Sequence, residues 1–251
     1  MPVDYLRTLT APERTRRTNI HLGVSLAFIA GATNAGGFLA VGQYTSHMTG
    51  MVSSFADALV LGDLSLLWAC VTALNSFVAG AATCAIMINW ARRRRSRHEY
   101  SMPLLVEAAL LLAFGVLGGK FNDHGFNAVV YWTVALLSFV MGLQNAMITK
   151  VSNAEIRTTH VTGMITDIGI EFGKMLYWNS ANADPKLNRV EVNKERLALH
   201  IALVGSFSIG AVVGALGFKT MGYVATLPLA IALAVLSLLQ FIPAKKTRRT
   251  S

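Results

Sequence analysis

A chain of 251 residues that is 53% hydrophobic and 14% charged falls well short of the roughly 25% charged residues found in soluble domains. Its charges cluster at the ends of long apolar runs, so those runs are expected to face lipid. The net charge of +9 then has a topological explanation that excludes nucleic acid as the expected partner, and the two cysteines, Cys70 and Cys84, lie too far apart along one apolar segment to bridge.

Taken in chain order, residues 1–19 form a cytoplasmic N-terminal segment in which Arg14, Arg16 and Arg17 precede an apolar stretch from Ile20 to about Gly42. No small-residue cleavage site interrupts that stretch, so it is expected as a retained span rather than a signal peptide. A spanning helix needs about 20 apolar residues, and the candidates fall at about 20–42, 66–90, 103–119, 126–146, 197–218 and 222–242. Two shorter segments, 47–62 with Asp57 and 160–178 with Asp167 and Glu171, are more polar. If the first of them crossed fully, the arginine run 92–97 would lie outside, against the rule that basic loops stay cytoplasmic. If both dip in and return, all but Lys120 and Lys219 of the 22 Lys and Arg are cytoplasmic, as are both termini and the basic tail 243–251. The expected fold is therefore all-α and polytopic, with six transmembrane helices plus two re-entrant half-helices in one membrane domain, residues 20–242.

The chain repeats itself. GATNAGG at 31–37 and TSHMTGM at 45–51 return as GLQNAMI at 142–148 and TTHVTGM at 158–164, and SFVAGA at 76–81 returns as SFSIGA at 206–211. Three matches in one order argue for duplication, with repeat 1 at about 20–119 and repeat 2 at about 126–242. The charge-derived topology sends the span of Asn34 outward and that of Asn145 inward, so the repeats are inverted, a plan recurrent in transporters and channels. The stretch N-A-x-x-F-L at 34–39, the T-G pair of the first weak segment, and G-L-Q-N-A followed by T-T-x-x-T-G resemble the YoaK-type family of bacterial inner-membrane proteins. Met51 stands where that pattern carries an asparagine. The resemblance runs from about 20 to 242 and implies a bacterial inner-membrane location; the family is one of unknown function.

Irregular backbone at membrane depth is tolerated where it is buried in protein or lines a wet cavity. The two re-entrant entries are such places, each opening a helix rich in hydroxyls: Thr45, Ser46 and Thr49 in one half, Thr158, Thr159 and Thr162 in the other. These can cap free N–H groups, and Gly50 and Gly163 would let another backbone approach. Inverted repeats would point the two helix starts at each other, presenting positive partial charge suited to an anion or a carboxylate-bearing solute. The competing reading is that the caps and T-G pairs serve packing alone. Duplicated His47 and His160 are read as hydrogen-bonded packing residues or as solute or proton handlers, and duplicated Asn34 and Asn145 as supports of the irregular backbone or as solute contacts.

On the second weak helix, His160, Met164, Asp167, Glu171 and Lys174 share a face, which could serve as a proton relay; Glu171 and Lys174 could equally be a solvated pair at the cytoplasmic mouth. Asp57, Asp167 and Glu171 are the candidate proton-coupling acids, and they are not duplicated, since Asp167 matches Ser54. Gln144 is expected in an interhelical hydrogen bond, and Glu107, one turn after Pro103, to snorkel to the cytoplasmic surface. No metal motif, nucleotide loop or nucleophile–base motif occurs, so no cofactor and no catalytic residue is expected. Movement of a small solute, led by small anions and organic acids, is the expected function. The alternatives are an intramembrane enzyme, a lipid-handling protein or a structural membrane protein. Expected partners are the lipid bilayer and the solute, with a homo-oligomer left open.

Overall fold

The computed structural model describes residues 5, 8–10, 14–96, 98–118, 126–179 and 189–238. Arg7, Arg97, Lys120, Lys186 and the basic tail 243–251 lie outside them. Helix α1 (Arg16–Val41) opens on a reciprocal cap between Thr15 and Thr18 and closes at Gly42. After a short irregular stretch comes α2 (Met48–Leu61). Gly62, with φ 72, turns the chain, and the Asp63 carboxylate accepts the Leu66 N–H at 3.0 Å to start α3 (Leu64–Arg93). Helices α4 (Ser101–Leu117), α5 (Phe126–Val151) and α6 (Val161–Leu176) follow. Asn193 caps α7 (Lys194–Met221) by accepting the Arg196 N–H at 3.0 Å. A 3₁₀ turn over Gly222–Thr226 leads to α8 (Leu227–Leu238), which carries Pro228 in its first turn, where no backbone donor is missed.

Among the described residues, four segments are long and apolar enough to cross a membrane: α1, α3, Val130–Val151 within α5, and the run Lys194–Leu238. At about 1.5 Å per residue, α2 and α6, of 14 and 16 residues, extend roughly 21 and 24 Å, less than a hydrocarbon core of about 30 Å. The stretch expected as one span over 222–242 is broken at its start, because Gly222 (φ 61, ψ −142) ends α7 and the 3₁₀ turn intervenes; residues 239–242 lie outside the described part.

Two helix pairs dominate the packing, α1 against α7 and α3 against α5. Both pairs run parallel and meet backbone to backbone through the same device. A methyl group placed on Gly31 would lie 2.0 Å from the Phe207 carbonyl oxygen, and one on Gly210 would lie 2.0 Å from that of Phe28. In the other pair, Gly142 meets the Phe77 oxygen and Gly80 the Phe139 oxygen, again at 2.0 Å. Each of the four helices thus contributes one Phe-x-x-Gly, and the lock closes reciprocally in each pair. Small residues that permit such approach are the usual glue of helices in lipid, where burial of apolar surface supplies no drive.

Helices α1 and α5 run antiparallel: Asn19 Nδ2 donates to the Val151 carbonyl at 3.3 Å near one end, and Gly37 abuts Leu137 near the other. Between and around them sit Leu22, Leu26, Met141, Leu143, Met147 and Ile148, all fully buried. By contrast, α3 and α7 turn Trp68, Val78, Ile86, Ile209, Val212 and Leu216 outward. An apolar skin of that extent is what a bilayer covers. Glu107 does not reach the cytoplasmic surface as expected. It is 0% exposed, and its Oε1 accepts from Gln144 Nε2 of α5 at 2.9 Å. The face of α4 that carries it packs on α5, so a buried amide takes the place of water; Gln144 does make the interhelical bond expected of it.

Candidate functional site

The two asparagines hold the irregular entries in place. Asn34 on α1 accepts the Ser46 N–H through Oδ1 at 3.1 Å. Asn145 on α5 accepts the hydroxyl of Thr159 at 2.9 Å and that of Thr158 at 3.5 Å, while its Nδ2 donates to the Met141 carbonyl at 2.8 Å. Each helix therefore carries, at the matching position, one amide that fixes the irregular segment folding back beside it. Thr45 and Thr158 are fully buried behind these contacts.

From there the short helices begin in the same way. The N-cap residues are His47 for α2 and His160 for α6, and in neither does the cap side chain close the first turn. The expected Thr and Ser caps are replaced by imidazoles, and the first N–H groups of each helix keep no intrahelical partner. Gly50 and Gly163 have a different use from the one expected. A Cβ on Gly50 would sit 2.2 Å from His47 Cδ2, and one on Gly163 would sit 2.4 Å from both Cε1 and Nδ1 of His160. The space is taken by each helix's own imidazole, folded over its first turn, rather than by a neighbouring backbone.

Both helix starts face one open chamber of about 650 Å³, on which His47, Thr49, Arg157, His160 and Thr162 are exposed. Ser46, His47 and Thr49 line it from one half, and Asn145, Thr159, His160, Thr162 and Gly163 from the other, together with Arg157 and the Phe77–Gly142 contact. Among the described residues its lining includes no Asp or Glu, and Arg157 and the two helix starts bring positive charge to it beside the hydroxyls and the Asn145 amide. Arg157 stands on the irregular segment entering α6, at the position that Tyr44 holds before α2, and forms no ion pair among the described residues.

A second cavity of about 590 Å³ adjoins the chamber and shares Arg157, His160 and Gly163 with it. Arg16, Glu155, Asp167, Arg196 and His200 line it. A third, of about 290 Å³, shares His47 with the chamber and is lined by Gly42, Gln43, Tyr44, Ser54, Leu66 and Cys70, among others. Arg16 and Gly42 flank α1 at opposite ends, so the second and third cavities lie toward opposite ends of that helix, and each shares a histidine with the chamber.

The acids separate in their surroundings. Asp167 lines the second cavity and accepts Arg196 Nη2 at 3.0 Å. Glu171 pairs with Lys174 at 2.8 Å, yet it is buried rather than solvated, and its second oxygen accepts the Asn193 N–H at 2.8 Å, tying α6 to the start of α7. Asp57 is exposed on α2 and lines none of the three cavities. Among the described residues no group of three or more His, Cys, Asp or Glu could hold a metal ion. Arg196 and His200 line this cavity although the sequence marks the first only as a cytoplasmic charge and gives the second no motif. The offset set by SFVAGA and SFSIGA places them opposite Leu66 and Cys70, so the signal was present.

A family model described as "Protein of unknown function (DUF1275)" matches residues 22–239. The UPF0700 transmembrane protein YoaK of Bacillus subtilis (strain 168) is 25% identical over 144 residues, covering 57% of this chain and 62% of that relative. No solved structure matches this chain.

Proposed function

This chain belongs to the DUF1275 family, whose description assigns no function, and we propose that it moves a small anion or organic acid across the bacterial inner membrane, as carrier or channel, through the chamber between its two short helices. The observation that carries the reading is that a cavity toward each end of α1 shares a histidine, His47 or His160, with the chamber. A transport path needs openings toward both faces, whereas an enzyme pocket needs only one; cavities at both ends of α1 favour transport. Two helix starts with unpaired N–H groups, together with Arg157, favour negative charge at the centre. In this account residues 20–119 and 126–242 are inverted repeats, each with three spans and a re-entrant helix, and both termini are cytoplasmic. The antiparallel course of α1 and α5 and the doubled Phe-x-x-Gly lock support that arrangement.

The test is uptake of labelled chloride, sulfate and succinate into liposomes containing the full chain, compared with the Thr49→Val, Thr162→Val double variant. Loss of uptake in a variant that still elutes as the wild type does is the expected result. Full uptake in the double variant removes the site from these helix starts.

A further inference from the structure

The cavities at the two ends of the path are built on equivalent residues but differ in charge. The repeat pairs Ser54 with Asp167, Leu66 with Arg196 and Cys70 with His200. The smaller cavity holds the neutral set and the larger one the ionisable set. Tyr44 and Arg157 add a further pair of unlike charge, while the two ends share His and Gly at the helix start and Met51 or Met164 one position on.

The ionisable set has an unfilled contact. Arg196 Nη2 donates to Asp167 Oδ2 at 3.0 Å, and His200 Nδ1 lies 3.6 Å from the same oxygen. The His200 side chain is only 9% exposed, lines the cavity, and its Nδ1 is buried with no hydrogen-bond partner. Buried ring nitrogens are ordinarily paired, so an unpaired one aimed at a carboxylate marks a place where a proton changes the bonding. The other charged groups around it are Glu171 and Lys174 on α6, Arg196 on α7, Arg16 on α1, and Glu155, Arg157 and His160 on the chain entering α6. Glu155 is held by Arg16 and Glu171 by Lys174, which leaves Asp167 as the carboxylate within reach of both Arg196 and His200.

We infer that transport by this path is coupled to a proton carried on His200 in the larger cavity, through exchange of Asp167 between Arg196 and His200. The inference rests on the transport reading above and adds the coupling ion. A proton from water binds His200 Nδ1, and the imidazolium N–H so formed donates to Asp167 Oδ2. The charged ring repels the guanidinium and takes its place on that oxygen, so Arg196 turns toward the cavity and faces the entering anion. Loss of the proton returns Asp167 to Arg196 and withdraws the cation. Because each event favours the other, the anion raises the affinity for the proton by the same factor as the proton raises that for the anion. The opposite cavity, with Ser54, Leu66 and Cys70, has no such exchange, so the coupling resides in one half of the duplicated frame.

The test uses the full chain in liposomes with a trapped pH dye and the membrane potential clamped at zero by potassium and valinomycin. Labelled chloride, sulfate and succinate serve as probes. With the outside one pH unit more acid, one proton per anion sustains about tenfold accumulation of the transported probe, since one unit is worth about 1.4 kcal/mol. The wild type is expected to reach that ratio, with acidification of the lumen. His200→Gln is expected to equilibrate the probe without accumulation and without a dye response, and Asp167→Asn to do the same, which keeps the test open if one variant fails to fold. Downhill uptake by the wild type with no dye response, or coupling retained in both variants, overturns the inference and leaves the transport reading standing. No uptake of any probe overturns both.

Discussion

Gly163→Ala tests the contact that places His160 at a cavity junction. The new Cβ would stand 2.4 Å from two ring atoms, while ordinary contact begins at 3.4 Å, so the ring must yield by about 1 Å. For ring atoms roughly 3 Å from their own Cβ, that is a swing of about 20–30°, at a cost of about 0.5–1.5 kcal/mol. Gly169 lies on the same helix with nothing within 4 Å of a Cβ, so Gly169→Ala gives the propensity gain alone, up to about 1 kcal/mol. The difference between the two variants in denaturant melts in detergent therefore reports the ring, and Gly163→Ala is expected to be the less stable by about 0.5–1.5 kcal/mol. Combining it with His160→Ala removes the clash and should recover that stability, without recovering anion uptake. Equal stability of Gly163→Ala and Gly169→Ala, or unchanged uptake in Gly163→Ala, would refute the placement of the imidazole.

Other substitutions probe the frame around the chamber. Gly142→Ala drives a methyl to 2.0 Å from the Phe77 carbonyl oxygen, where backbone cannot swing aside as a ring can; a loss of about 1–3 kcal/mol is expected in the same melts, against a neutral or stabilising Gly205→Ala, which meets nothing within 4 Å. Asn145→Ala removes the acceptor for the Thr158 and Thr159 hydroxyls, so a loss of about 1–3 kcal/mol is expected together with faster proteolysis between α5 and α6. Glu107→Ala leaves the Gln144 amide buried without its acceptor and should cost about 1–3 kcal/mol, whereas Glu107→Gln, which keeps an acceptor oxygen, should cost less.

Much of the frame was legible in residue order. The duplicated HMTG and HVTG segments marked both short helices to within a residue or two, and the paired asparagines were recognised as candidate supports. Phe28–Gly31 and Phe139–Gly142 escaped notice because a Phe-x-x-Gly acquires meaning only when a second one packs against it across space. The use of Gly50 and Gly163 was misread for a related reason, since sequence reveals that a glycine makes room but not what fills the room. Glu107 looked like a surface residue because it lies one turn from a helix start, and only the packing of α4 on α5 reveals its partner. The charged set of Asp167, Arg196 and His200 was readable through the repeat, but counting Arg196 toward topology hid its contact with Asp167.

An anion received in the chamber where the two short helices start would shield both of those starts. Cysteines introduced singly as Thr49→Cys and Thr162→Cys, in a chain lacking Cys70 and Cys84, can be titrated with the negatively charged ethylsulfonate methanethiosulfonate. Both positions are expected to react, and the anion taken up by the liposomes to slow both reactions while a neutral solute of similar size slows neither. Failure of either position to react, or rates indifferent to the anion at both, would contradict that shielding.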